Sequence, residues 1–290
     1  MKNKINIRYL MGRYLLIITP LFILFFLSSL TSFAASPTKS NSTELKKTIT
    51  IGTYFAGESF TYKVKFWFFD NLARANINLV KNKDATYTAT LSAKTTGTAA
   101  WFQQRTDTYT AILEEIDGAR RFRTLSFEAY SKIGKKERRR ITTFDYKNKL
   151  MSWKRWKKGR VDESEALPIL EGGNYDGPLT AFYNFRFGAY GEIKRGSDFT
   201  IRTFPKKGRD DLEILINLAT KDKFNKKILR RYPDGYKGLV KLDKGLFGSK
   251  SGNVELFFDK DMTPLTVVAK DIMLFGDVAG RLISVQPPKP

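Results

Sequence analysis

The chain has 290 residues and carries 51 Lys or Arg against 29 Asp or Glu, so its formal net charge is +22. It contains no Cys and no His. These absences exclude a disulfide, a zinc site built from Cys or His, a thiol nucleophile, a Ser–His–Asp triad and a lipid-modified N-terminal Cys. We expect no cofactor and no metal site.

Residues 1–34 have the three-part pattern of a secretory signal peptide. Bases without acids precede residue 14, residues 14–30 are almost wholly apolar, and Ser32 and Ala34 stand at the −3 and −1 positions of a cleavage site. The alternative is an uncleaved anchor, because about 17 apolar residues is the lower limit for spanning a bilayer. An exported chain without Cys fits a bacterial envelope. We expect a periplasmic location, or attachment to the inner membrane if the segment is retained.

Residues 35–51 are polar and are predicted to form a leader, and residues 52–288 are predicted to form a single β-rich domain. Apolar and polar residues alternate along most of this domain, as in half-buried strands. In chain order the pattern predicts strands at 60–68, 73–79, 87–93, 107–114, 121–129, 138–145, 149–156, 198–204, 211–219, 227–232, 238–243, 253–258, 264–270 and 278–286. Residues 259–261 supply a turn, without the ligand spacing of a calcium loop.

The fold predicted from this succession is all-β and mainly antiparallel, either a large curved sheet or a partly closed barrel. Residues 160–174, with Pro168 and two glycines, are predicted to form a long loop. A shorter helical turn is predicted near residues 99–103.

One short helix is predicted near residues 177–187. Asp176 is a candidate N-cap, and Pro178 suits the first turn. Phe182, Phe185 and Ala189 would line one apolar stripe. We interpret the segment as a helix that plugs one end of the sheet.

Several residues, taken in order, resemble a known family. They are Gly57, Glu58, Asp107, Tyr109, Phe144, Asp145, Tyr146, Asp176, Pro178, Leu179, Ala181, Tyr183, Phe258, Asp259 and Pro264. Over about residues 52–286 the set resembles the bacterial exported domain-of-unknown-function family numbered 3108. The resemblance implies a secreted, β-rich envelope protein and no catalytic residues. The chain departs from the family in its heavy basic load after residue 118.

That load is concentrated in residues 118–160, which carry 16 bases and three acids. Trp153 and Trp156 are interleaved with the bases, and strand alternation places the two tryptophans on opposite faces. The candidate ligand-binding residues are Arg138, Arg139, Arg140, Trp153, Lys154, Arg155, Trp156, Lys157 and Lys158.

Such residues suit anionic lipid head groups or an acidic envelope polymer. A solvated face that keeps the protein soluble explains the same charges without a ligand. Nucleic acid is not expected as a partner of an exported chain. We therefore expect a monomeric binding module of the envelope, whose interior is either an apolar pocket for a lipid or a solid core. The alternative is a structural or assembly protein that docks on another envelope protein.

We do not expect an enzyme. The two acidic clusters are Glu114–Glu115 and Asp162-Glu163-x-Glu165. Neighbouring residues of a strand face opposite ways, so the first cluster makes a poor catalytic pair. The second falls in the predicted loop and is interpreted as solvated charge.

Overall fold

A computed structural model describes residues 49–66, 69–97, 100, 104–170, 172–204, 212–221, 224, 230–244, 249–272 and 276–288. The predicted signal peptide, nearly all of the predicted leader and most of the helical turn near residues 99–103 lie outside this part of the chain. None of the described helices is long and apolar enough to cross a membrane. Residues Glu44–Pro290 form one compact unit.

The described elements are two helices and fourteen strands. The helices are α1 (Ile51–Phe55) and α2 (Pro178–Phe187). The strands are β1 (Ser59–Phe66), β2 (Phe69–Lys81), β3 (Tyr87–Thr95), β4 (Arg105–Ile116), β5 (Arg121–Ile133), β6 (Lys136–Asp145), β7 (Leu150–Lys157), β8 (Arg160–Pro168), β9 (Asp198–Arg202), β10 (Glu213–Leu218), β11 (Tyr236–Lys241), β12 (Asn253–Phe258), β13 (Pro264–Ile272) and β14 (Gly276–Gln286).

All fourteen strands form one antiparallel sheet, which confirms the predicted fold class. Their order is β8-β7-β6-β5-β4-β3-β2-β1-β14-β13-β12-β11-β10-β9. The sheet is a meander in which β1 also pairs with β14. Strands β8 and β9 are consecutive in sequence, yet they form the two edges of the sheet. The sheet is therefore open, and the segment that contains α2 connects its edges.

Helix α2 lies between the two halves of the sheet. Leu179 and Tyr183 pack in a core cluster with side chains of β2 to β5. Ala181 and Phe185 pack in a second cluster with side chains of β9 to β12. The predicted single apolar stripe is therefore wrong, because the helix is buried on most of its circumference.

The start of α2 also differs from the prediction. Its N-cap is Gly177, which has no side chain to bond the first turn, whereas Pro178 occupies the first turn as expected. Asp176 is not the cap, because its carboxylate is turned inward and accepts a hydrogen bond from Arg121. Gly188, at φ 81°, ends the helix in the left-handed conformation that favours glycine.

Two strand predictions need correction. The predicted loop over residues 160–174 is wrong for its first nine residues, which form β8. Strand β8 is exposed along most of its length, so the apolar alternation that marks a half-buried strand is missing. Within the predicted strand at 227–232, the described residues 230–232 are not in a strand. The turn at 259–261 is confirmed, because Asp259 Oδ1 accepts the N–H groups of Asp261 and Thr263.

Candidate functional site

The predicted basic and aromatic residues lie on β6, β7 and the turn that follows β7. The register pairs Arg139 with Trp156 and Arg140 with Arg155. Because side chains alternate between the faces of a sheet, the structure divides the predicted set. The inner face, which carries the core, receives Arg138, Arg140, Trp153, Arg155 and Lys157, and the outer face receives Arg139, Lys154 and Trp156. The predicted residues therefore do not form one surface.

Two hairpin turns at one end of the sheet carry many exposed bases. Residues 133–136 join β5 to β6, and residues 157–160 join β7 to β8, so the antiparallel order places both turns at the same end. Lys158 and Gly159 both have positive φ, as in the tight turns that match strand twist. Six exposed bases at this end have no ion pair among the described residues. We call them the basic tip: Lys135, Lys136, Arg138, Lys157, Lys158 and Arg160.

Beside the basic tip, the outer face carries a row of side chains that runs across four strands. The register places Tyr130, Arg139, Trp156 and Val161 side by side, and we call them the outer row. The Arg139 guanidinium carbon lies 5.3 Å from the centroid of the Trp156 ring, and Nε donates to Glu128 at 2.6 Å. Val161 is 56% exposed. The outer row thus joins apolar surface to charge.

On the inner face, Trp153 is part of the core. It is 5% exposed and packs in a cluster with Phe144, Met151 and Tyr175. The guanidinium carbon of Arg140 lies 4.2 Å from the Trp153 ring centroid. Burial, together with nearby Arg155, lowers the pKa of Arg140. The prediction that the two tryptophans point to opposite faces is confirmed.

The acids of β8 change the role expected for Arg155. Its Nη2 donates to Asp162 Oδ2 at 2.5 Å and to Glu163 Oε1 at 2.8 Å. These two carboxylates are therefore ion-pair partners in a strand, which corrects their interpretation as solvated loop charge. The pairing also removes Arg155 from the bases available to a ligand.

The structure brings no pair of carboxylates together for catalysis at Glu114 and Glu115. Glu114 accepts from Arg123, whereas Glu115 accepts the backbone N–H of Gly52. Within the described ranges, no group of three acids could hold a metal ion.

Two of the acids quoted for the family resemblance, Glu58 and Asp176, belong to the packing around α2. Glu58 and Arg186 form a bidentate ion pair, with Nη1 2.5 Å from Oε1, and both side chains are 4% exposed. Asp176 is fully buried and accepts from Arg121, Asn184 and Tyr190. Burial raises the pKa of both Glu58 and Asp176, against the attraction of their arginines.

Asp107 and Tyr109, also quoted for the family resemblance, lie on the inner face of β4. Asp107 Oδ2 accepts from Arg105 Nε at 2.6 Å. Burial, reinforced by Asp107, raises the pKa of the Tyr109 hydroxyl to about 12. The Tyr109 hydroxyl is therefore not poised to exchange a proton near neutral pH.

The space around α2 is a packed core. Phe55, Phe122, Tyr183, Phe185 and Phe258 surround or belong to the helix and are at most 2% exposed. The described interior around α2 is therefore filled by side chains. A groove of about 580 Å³ runs over β9 to β13 between outward side chains such as Leu215 and Leu239.

A family model described as a protein of unknown function, DUF3108, matches residues 61–282. Among solved structures, the chain is similar to a β-barrel-like protein of domain of unknown function DUF1849 from Brucella abortus, at 11% identity and a TM-score of 0.46, covering 81% of this chain and 99% of that one. It is also similar to the hypothetical protein CT021 from Chlamydia trachomatis, at 10% identity and a TM-score of 0.33, covering 81% and 89%. No curated protein matches the chain.

Proposed function

We propose that this chain, which belongs to the DUF3108 family of proteins of unknown function, is a non-enzymatic binding module of the bacterial envelope. The module is exported and binds the surface of an anionic lipid membrane. It does so with the basic tip and the neighbouring outer row. The observation that carries the proposal is the juxtaposition of six exposed bases, without ion pairs among the described residues, with half-buried Trp156 and exposed Val161 at one end of β5 to β8.

Charge supports a membrane surface as the ligand. The described ion pairs of these strands involve bases other than the six of the tip, such as Lys132 with Glu137 and Arg139 with Glu128. The basic tip keeps its charge uncompensated, so it is attracted to anionic head groups. Each base held near such a surface contributes about 1 kcal/mol, and the attraction is weakened by salt.

The outer row supports the same ligand by a different force. Indole rings are stable at the boundary between head groups and hydrocarbon, where one part of the ring is wet and the other is apolar. Trp156 is half-buried and Val161 lies opposite it on the neighbouring strand. A free acidic polymer would pair with the bases but would offer little apolar surface to contact Val161.

The experiment is co-sedimentation of the mature protein with vesicles. We expect binding to vesicles that contain anionic phospholipid and much weaker binding to vesicles of neutral lipid. Replacing Lys157, Lys158 and Arg160 with Gln removes three bases of the tip. We expect about a hundredfold weaker partition into anionic vesicles, because three contributions of about 1 kcal/mol are lost.

The matched control removes the same charge from the opposite end of the sheet. Lys81, Lys83 and Lys147 lie in or beside the β2–β3 and β6–β7 turns and are exposed. Replacing these three with Gln should leave vesicle binding nearly unchanged. Equal losses in the two triple variants, or equal binding to neutral and anionic vesicles, would contradict the proposal.

The open sheet supports a second candidate function, docking on another envelope protein. Strands β8 and β9 each pair with one neighbour in the described sheet, so each leaves one edge open to an added strand. The charged side chains of β8 oppose indiscriminate pairing. Co-purification of a stoichiometric partner that a Pro substitution at Ser164 releases would favour this second function.

A further inference from the structure

Three buried polar atoms without a hydrogen-bond partner lie on the neighbouring strands β6, β7 and β8. They are Arg140 Nε, Trp153 Nε1 and Glu165 Oε2. Trp153 and Glu165 are direct cross-strand partners, and Arg140 covers the Trp153 ring at 4.2 Å. The three side chains, which we call the inner triad, therefore occupy one patch of the inner face, opposite to the outer row.

A buried donor or acceptor without a partner is unfavourable, and native proteins satisfy nearly all such groups with protein, water or ligand. Among the described residues, Arg140 and Glu165 form no hydrogen bond and no ion pair. Arg155, the direct cross-strand partner of Arg140, bonds Glu163 at 2.8 Å. Arg140 and Glu165 are thus left unpaired beside a base and an acid that pair with each other.

The chemistry of the inner triad defines what would complete it. Arg140 and the Trp153 indole can only donate, so they suit an oxyanion, and a guanidinium matches phosphate or carboxylate in particular. The Glu165 carboxylate accepts, and a cation suits it best. Arg140 and Glu165 lie on β6 and β8, with β7 between them. A neutral ligand would leave both charges without a partner.

We propose that the inner triad is a binding site for a small zwitterion that carries an oxyanion and an ammonium group. The oxyanion lies at Arg140 and the Trp153 N–H, and the ammonium group donates to Glu165. Arg140 and Glu165 are each partly exposed, so a small molecule can reach them from solvent. The site is distinct from the outer row, which lies on the other face of the same strands, and its residues are not members of the basic tip.

The test uses phosphoethanolamine, which has both groups, with inorganic phosphate and ethanolamine as its two halves. Binding is followed by the ¹⁵N-NMR signal of the Trp153 indole N–H, which is assigned by its disappearance in Trp153→Phe. We expect phosphoethanolamine to shift this signal saturably and to bind about tenfold tighter than phosphate, since it adds one charged hydrogen bond. Glycine tests a carboxylate source of the same chemistry, and the tighter of the two zwitterions names the source.

Glu165→Gln removes the charge that holds the ammonium group, so the preference for phosphoethanolamine over phosphate should fall from about tenfold to near one. Glu128→Gln, on the outer face of β5, is the matched control and should keep the preference. An unshifted Trp153 signal, or equal affinity of the native protein for phosphate and both zwitterions, overturns the proposal, and both titrations are carried out on the native protein once the signal is assigned. The tip triple variant should bind phosphoethanolamine normally, which separates this site from vesicle binding.

Discussion

Arg186 and Arg140 are both arginines stacked on aromatic rings, but their surroundings differ. Arg186, in α2, bonds both oxygens of Glu58 and the carbonyl of Met262, and its guanidinium carbon lies 4.6 Å from the Phe55 ring centroid. Arg140, in β6, lies over Trp153 with its Nε unpartnered. The Arg186–Phe55 pair therefore belongs to the packed core. The Arg140–Trp153 pair, which is chemically similar, is the one proposed to bind a ligand. The two arginines differ in their hydrogen bonds, because all three nitrogens of Arg186 have partners and Nε of Arg140 has none.

Around α2, many buried polar groups bond one another, although Arg121 Nε, Asp176 Oδ1 and Tyr183 OH have no hydrogen-bond partner among the described residues. Phe122 N–H donates to Asn184 Oδ1, and Asn184 Nδ2 donates back to Phe122 O. The Thr124 and Thr180 hydroxyls bond each other at 2.6 Å. In β6 to β8, by contrast, the bases of the tip face solvent. The first region packs α2 against both halves of the sheet, and the second is the region proposed to bind a membrane.

The largest expected effect is the loss of the buried ion pair around α2. Glu58→Gln leaves the Arg186 guanidinium buried without a counter-ion, so we expect a loss of roughly 3–5 kcal/mol in the free energy of unfolding. Chemical denaturation measures it. Glu128→Gln breaks the exposed pair with Arg139 and should cost below about 1 kcal/mol. Similar losses of unfolding free energy in the two variants would contradict the difference drawn between the buried pair at α2 and the exposed pair of β5 and β6.

The two tryptophans of β7 provide the next test. Trp153→Ala removes a core side chain that is 5% exposed, and we expect a loss of about 3 kcal/mol in the free energy of unfolding. Trp156→Ala removes a half-buried ring from the outer row and should cost about 1 kcal/mol, while weakening vesicle binding more strongly. Thermal and urea unfolding give the stability difference. A larger stability loss from Trp156→Ala would contradict the assignment of the two faces.

A smaller effect is expected when the two stacked arginines are each replaced by Met. Arg140→Met removes a guanidinium with no ion pair among the described residues, so stability should change by less than about 1 kcal/mol in either direction. Arg186→Met leaves Glu58 buried and unpaired and should be far more costly. A loss of several kcal/mol in unfolding free energy from Arg140→Met would show that Arg140 stabilises the fold. The difference drawn between Arg140 and Arg186 would then be wrong.

The smallest expected effect concerns an exposed carboxylate at the end of β6. Hydrogen bonds from Asn148 lower the pKa of Asp145. A lowered folded-state pKa contributes stability above the unfolded value, and this contribution is lost as the pH falls through the folded value. We expect the stability difference between the wild type and Asp145→Asn to be constant above about pH 5 and to shrink steadily below about pH 4. A stability difference between the wild type and Asp145→Asn that increases as the pH falls would contradict the lowered pKa of Asp145.

Much of the fold follows from alternation in the sequence. The pattern at 253–258 and 264–270 predicts β12 and β13 and their turn, because half-buried strands repeat every two residues. Strand β8 was missed because its Asp162, Glu163 and Glu165 face solvent or a neighbouring basic strand, and neither environment leaves an apolar pattern. The stripe predicted for α2 was wrong because a helix enclosed by both halves of a sheet buries polar residues such as Asn184 and Arg186.

The candidate site was only half visible in the sequence. The concentration of bases in residues 118–160 and the opposite directions of Trp153 and Trp156 followed from composition and period. The pairing of Arg155 with β8 was not visible, since residues 160–174 were predicted to be a loop. Glu165 was also missed as a member of the inner triad, and its direct pairing with Trp153 can be read only from the register of β7 and β8.

The sequence by itself determined the all-β class, the position of α2, the basic load and the family of this protein, because strand period, helix start signals and charge are local properties of the chain. Only the tertiary structure decided that β1 pairs with β14, that the sheet bends around α2, and which bases are paired. Those outcomes depend on strand register and on contacts between residues far apart in sequence. Glu58 and Arg186, 128 residues apart, form one buried ion pair, whereas Arg140 and Glu165 lie on strands separated by a single neighbour and form none.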